Sequence, residues 1–112
     1  MNDLLIETGQ GKSKRIFPAS QILYVEANIN YSLFHLTDGS KVLTSRHLGY
    51  YAKLLSEFAR INKSYLINPY LLKKWKENPH SYRDGAEVTL TNGVRLGVAR
   101  RRVQEAKAKL GI

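Results

Sequence analysis

The segment Phe58-Ala59-Arg60-Ile61-Asn62-Lys63-Ser64-Tyr65-Leu66-Ile67-Asn68, closed by Pro69, interleaves apolar side chains with cations and amides. Phe58 and the pair Leu66-Ile67 demand burial, because each fully buried side chain of this size contributes about 1.5–3 kcal/mol. Arg60, Asn62, Lys63 and Asn68 must then be satisfied at a surface or by a partner, since burying such groups unpaired is costly. Arginine and lysine neutralise phosphate, and asparagine and lysine also reach base edges. By residue type alone the segment is equally a half-buried strand and turn with a solvated polar face.

Upstream, apolar positions Leu48, Tyr51, Leu54, Leu55 and Phe58 recur near the helical period, with Ser45 placed to cap a short helix that Gly49 weakens. Before it, Tyr31–Leu36 and Lys41–Thr44 are strands around the hairpin signal Asp38-Gly39. Ile22–Val25 is a buried strand, Glu26–Asn30 an amide-rich loop, and Leu4–Glu7 and Arg15–Phe17 short extended pieces around a polar turn at Gln10–Lys14. Pro18 forbids a helix there. Downstream, Tyr70–Lys76 is extended with its lysines toward water, and Glu77–Gly85 is a loop around Pro79. Glu87–Thr91 and Val94–Val98 alternate strictly around Asn92-Gly93, a type I′ turn signal, with Val88, Leu90, Leu96 and Val98 on one buried face. Arg100–Leu110 is an amphipathic helix with Val103, Ala106 and Leu110 on one side. The sum is a mainly β domain of small antiparallel sheets with two short helices.

A chain of 112 residues with 43% hydrophobic and 24% charged residues is expected to form one domain, 1–112, with a real core. It has no cysteine, which excludes a disulfide framework, a thiolate zinc site and a cysteine nucleophile, and which fits a cytoplasmic protein. The first fifteen residues hold no apolar run of signal-peptide length, and nothing approaches the ~20 apolar residues of a membrane helix. The net charge of +9 is segregated: residues 41–76 carry eight cations against one carboxylate, and residues 94–112 six against one. Residues 1–40 and 77–93 are each slightly acidic. Two basic blocks separated by an acidic one point to a directed positive face, for which nucleic acid is the natural polyanion.

The central segment resembles the signature of the LytTR domain, the DNA-binding module of the LytR/AlgR class of bacterial response regulators. That signature runs Phe-x-Arg-x-His-Lys/Arg-Ser-Tyr-x-Val/Ile-Asn, and this chain matches it at Phe58, Arg60, Lys63, Ser64, Tyr65, Ile67 and Asn68, with Asn62 where histidine is frequent. Ile22-Leu23-Tyr24-Val25-Glu26-Ala27, Tyr31, Asp38-Gly39, Leu48 and Val98-Ala99-Arg100-Arg101 match in order, so the resemblance covers about residues 16–110. It implies an elongated stack of small antiparallel sheets. It also implies a transcription regulator of two-component type whose loops enter successive major grooves of promoter repeats in double-stranded DNA, as a dimer in some cases. The contacts it implies are Tyr31 with its neighbours Asn28 and Asn30, then Asn62 and Lys63, then Arg100 and Arg101. Ala99 stands where the family usually has serine. LytTR domains usually follow a receiver domain, and no αβ-alternating segment precedes the match here, so a stand-alone regulator or an excised piece is expected.

The residue chemistry agrees in type. Arg101 offers a planar fork for guanine or phosphate, and Lys63 a mobile point charge. Asn28 and Asn30 suit adenine, although holding a turn is the commoner role of loop asparagine. Three arginines at a helix start oppose the macrodipole, so stability does not ask for them there, although a solvated charge run is the plainer account.

No enzyme, cofactor or metal is expected. Gly11-Lys12-Ser13 lacks the earlier glycine of a phosphate-binding loop, having Ile6 there. His35, His47 and His80 lack ligand spacing, and His35 is expected to be packed or hydrogen-bonded. Trp75 and the tyrosines are assigned to core and rim, Tyr65 to the core. The competing readings are a single-stranded RNA or ribosome-associated β domain and an interaction module for an acidic protein. A membrane-surface role is weaker, with only Val103, Ala106 and Leu110 to insert.

Overall fold

Alternation of apolar and polar side chains dominates the described chain, which in this computed structural model comprises residues 5–8, 15–78 and 84–112. Strands β1 (Leu5–Thr8) and β2 (Arg15–Pro18) pair antiparallel. Strands β3 (Ile22–Asn28), β4 (Tyr31–Leu36), β5 (Lys41–Thr44), β6 (Ala59–Arg60) and β7 (Tyr65–Ile67) form an antiparallel sheet in the order β5-β4-β3-β7-β6. Strands β8 (Leu72–Glu77), β9 (Asp84–Leu90) and β10 (Arg95–Ala99) form a third sheet in the order β10-β9-β8. Helix α1 (Leu48–Leu54) lies between β5 and β6, and α2 (Val103–Leu110) follows β10. The molecule measures 49 × 27 × 23 Å, the elongated stack the resemblance implied.

The five-stranded sheet is the middle layer because successive strand residues point to opposite faces. Val25, Phe34 and Leu66 enter one core with Phe17, Leu48 and Tyr51. Leu23 and Ile67 enter the other with Val88, Leu90, Val98 and Ala106. In the first, Phe34 meets Phe17 and Tyr51 edge-on at centroid distances of 5.6 and 4.7 Å, the preferred arrangement of aromatic quadrupoles. The expected buried face of Val88, Leu90, Leu96 and Val98 is present, and Val103 and Leu110 pack beside Ala106 against the same core. The central segment joins both layers: Phe58 and Leu66 belong to one core, and Ala59, Ile61 and Ile67 to the other.

Several local expectations are corrected. Glu26–Asn30 is not a loop: β3 runs on to Asn28, and only Ile29-Asn30 turn the chain, because pairing with β4 and β7 satisfies the backbone of Glu26 and Ala27. His47, not Ser45, caps α1, its Nδ1 accepting from Tyr50 N at 3.3 Å. Pro69–Leu71 is a 3-10 turn rather than strand, and β8 begins at Leu72. Its cause is Asn68, which is fully buried. Asn68 Nδ2 donates to Ile22 O at 2.9 Å, and its Oδ1 accepts from Tyr70 N at 3.0 Å. Asn92-Gly93 is not a type I′ turn, since only Gly93 has positive φ (+89°). Thr91-Asn92-Gly93 form a three-residue connection, with Gly93 N donating to Leu90 O and Leu90 N to Val94 O. Arg100–Arg102 form a 3-10 turn ahead of α2 rather than its first turn. Asp84 and Gly85, expected in a loop, open β9. Leu4, the Gln10–Lys14 turn and most of the Pro79 loop lie outside the described residues.

Two glycine and asparagine positions make the packing testable. Asn68→Ala leaves Ile22 O and Tyr70 N–H unpaired, and is expected to lower unfolding free energy by about 2–4 kcal/mol. A loss below ~0.5 kcal/mol by urea denaturation would refute the cap. A Cβ on Gly85 would sit 2.6 Å from Val103 Cγ2 and 3.0 Å from Arg100 Cα. Gly85→Ala is therefore expected to destabilise by about 1–3 kcal/mol, whereas an unchanged midpoint would mean that the arginine turn is loosely seated.

Candidate nucleic-acid interface

Three segments distant in sequence meet along one seam. The first is the β3–β4 hairpin tip, where Asn28, Ile29, Asn30 and Tyr31 are all exposed. The second is the connection Ile61–Ser64 between β6 and β7, in which Lys63 is exposed. The third is the arginine turn after β10, in which Arg100 and Arg101 are exposed and Arg102 half-buried. Ala27 N donates to Ser64 O at 2.8 Å, which ties the second segment to the base of the hairpin. Ala99 N donates to Ile61 O at 2.7 Å, which ties it to the residue before Arg100. The two basic blocks of the sequence thereby become neighbours.

Side chains brace the seam. Asn62 Nδ2 donates to Gly97 O on β10 at 2.7 Å, and its Oδ1 accepts from Ser64 N at 2.7 Å and Tyr65 N at 3.0 Å. Arg60 Nε donates to Asn62 O at 3.1 Å, and its Nη2 to Lys63 O at 2.8 Å. The polar groups of Arg60, Asn62 and Asn68, which had to be satisfied at a surface or by a partner, are thus satisfied by the chain's own backbone. Lys63 is the exception: among the described residues its ammonium has no hydrogen-bond or ion-pair partner, nor has the Arg101 guanidinium. Of the expected contact residues, Asn62 is therefore already engaged within the fold, and the other six are exposed around it.

The electrostatics favour an anion. Burial, and then the charge of Arg102, lower the pKa of Arg60. Arg102 Nε is buried without a hydrogen-bond partner among the described residues. Two like charges, those of Arg60 and Arg102, thus lie close enough to repel one another. The carboxylate nearest the hairpin base is engaged: Glu26 Oε1 accepts from His35 Nε2 at 2.9 Å, and Tyr65 OH approaches Oε2 at 3.5 Å. Tyr24 stacks on His35 at 4.1 Å, and burial, then the Glu26 charge, raise the pKa values of Tyr24 and Tyr65. His35 is hydrogen-bonded as expected, while Tyr65 is half-buried at the rim of the core. Among the described residues, the exposed tyrosines Tyr31, Tyr50 and Tyr70 sit on three different elements and form no stacking row.

The bracing roles of Arg60 and Asn62 were not assigned from sequence. The available signal was Asn62-x-Ser64, since asparagine commonly accepts from the backbone N–H two residues on. Its bond to Gly97 has no local signature. Among the described residues no group of His, Asp and Glu is arranged to hold a metal ion, and no helix is long and apolar enough to cross a membrane.

Comparison with known proteins agrees with the fold. The family model of the LytTr DNA-binding domain matches residues 12–111. No curated protein matches the chain. A solved structure described as the LytTr DNA-binding domain of a methyl-accepting/DNA response regulator from Bacillus cereus is similar with a TM-score of 0.78. The likeness covers 96% of this chain and 97% of that one at 18% identity, a similarity of fold. With the family match spanning nearly the whole length and the fold shared, this chain belongs to the LytTr DNA-binding domain family.

Proposed function

We propose that the domain binds duplex DNA sequence-specifically as a cytoplasmic bacterial transcription regulator, acting as one DNA-binding unit on promoter repeats, with two copies on paired repeats. The observation that carries this is the seam itself: Asn28–Tyr31, Lys63 and Arg100–Arg101 are exposed on three segments locked together by backbone hydrogen bonds. In this proposal the hairpin tip and the arginine turn enter successive major grooves, and Lys63 lies at the minor groove or phosphates between them. Arg101 reads a guanine edge or grips phosphate with its fork, Tyr31 and the asparagines offer hydroxyl and amide groups to bases, and Arg100 supplies charge. Asn62 takes part by holding Lys63 in place. Rigid backing matters because a side chain held by a fixed loop loses less conformational freedom on binding.

Fluorescence anisotropy with duplexes selected from a random pool tests the proposal. Neutralising about five phosphates gives a log–log salt slope of roughly −4.5. Lys63→Ala and Arg101→Ala are each expected to weaken binding by about 1–3 kcal/mol. A residue that grips phosphate lowers the slope by about 0.9, whereas one that reads bases leaves the slope and relaxes sequence preference. Unchanged affinity in both variants would remove them from the interface, and stronger binding to single-stranded RNA than to duplex would overturn the proposal. Asn62→Ala removes the side-chain partner of Gly97 O, Ser64 N and Tyr65 N and is expected to lower stability by about 1–3 kcal/mol in urea. If that variant kept full stability yet lost DNA, Asn62 itself would be a contact.

A further inference from the structure

Ile29 combines two features that folding alone disfavours. It is the first of the two residues connecting β3 and β4, and its φ is +58°, the one positive value outside glycine among the described residues. A β-branched side chain is strained there, and such strain persists where function asks for the side chain. It is also 89% exposed, more than any other large apolar residue of the described chain. Glycine or asparagine would accept the backbone more readily and leave no aliphatic group in water. Neither packing nor turn chemistry accounts for isoleucine at this position.

Its surroundings indicate what it meets. Asn28 and Asn30 flank it, Tyr31 follows, and Ala27 at the hairpin base is bonded to the Lys63 connection. An apolar tip raised among amides, a phenol and cations is matched to a polar anionic surface carrying one small apolar feature. The major groove is such a surface: its base edges present donors and acceptors, and its apolar group is the C5-methyl of thymine. We infer that Ile29 is a specificity-determining contact that packs on a thymine methyl in the major groove. The inference rests on the duplex-DNA function proposed above. A wedge between base steps is the other use of an exposed aliphatic residue, but it acts through unstacking and does not need the methyl.

The test uses a duplex selected from a random pool by the wild-type domain, prepared once with thymine and once with uracil, which lacks the methyl. Wild type is expected to bind the uracil duplex about four-fold more weakly, the effect of one methyl removed from water. Ile29→Gly is expected to bind both duplexes equally and more weakly than wild type binds thymine DNA, with a melting temperature equal to or above that of wild type. Ile29→Asn, which also tolerates positive φ, is expected to lose the discrimination in the same way. Equal wild-type affinity for the two duplexes overturns the inference and leaves the DNA-binding proposal standing. Retained discrimination in Ile29→Gly, or a lowered melting temperature that accounts for its weaker binding, also overturns it. Failure to select any duplex overturns both proposals together.

Discussion

The amide of Asn62 is the contact on which the arrangement of the basic segments depends. It donates across to Gly97 O of the third sheet and accepts from Ser64 N and Tyr65 N of its own connection. One neutral side chain therefore sets the curvature of a loop and its distance from a neighbouring strand. A charged group in that place would need compensation for burial, and an apolar one would leave three backbone groups without partners. Around this clip the Ala99–Ile61 and Ala27–Ser64 bonds extend the seam in both directions. Lys63 projects from a connection whose neighbours are all occupied, while its own ammonium remains for solvent or an anion.

The layered core explains why the seam can hold. The middle sheet sends alternate side chains into two cores, so β3 and β7 are fixed from both faces. The hairpin tip and the Lys63 connection emerge from the ends of those two strands, and the arginine turn emerges from β10, which packs in the second core. Gly85 lets that turn approach β9 closely, with Arg100 Cα only 3.0 Å from where a Cβ would stand. The exposed cations are thus carried on connections whose bases are rigid, a placement that combines reach with precision.

Charge is arranged with the same economy. Arg60 and Arg102 lie close enough to lower the pKa of one by the charge of the other, a repulsion that adds to the cost of Arg60's burial. Glu26 is held by His35 and Tyr65 and is half-buried, so its carboxylate is engaged within the sheet. The result is a positive seam in which the acidic residue beside the hairpin already has partners. Such a surface attracts a polyanion at long range and is weakened by salt.

By itself the amino-acid sequence determined the class of the fold, the family resemblance, the alternating strands such as Glu87–Thr91 and Val94–Val98, and the basic character of two separate blocks. These are local or compositional properties, carried by side-chain period, turn residues and charge. The tertiary structure alone decided that Glu26 and Ala27 extend a strand, because their partners come from β4 and β7. It alone decided that Asn68 forces a 3-10 turn through Ile22, 46 residues away. It likewise decided that Asn62 is a brace and that Lys63 and Arg101 stand on neighbouring segments. Each of these depends on a hydrogen bond between residues remote in the chain, and a polar side chain's type states only that a partner is needed, not where folding will supply it.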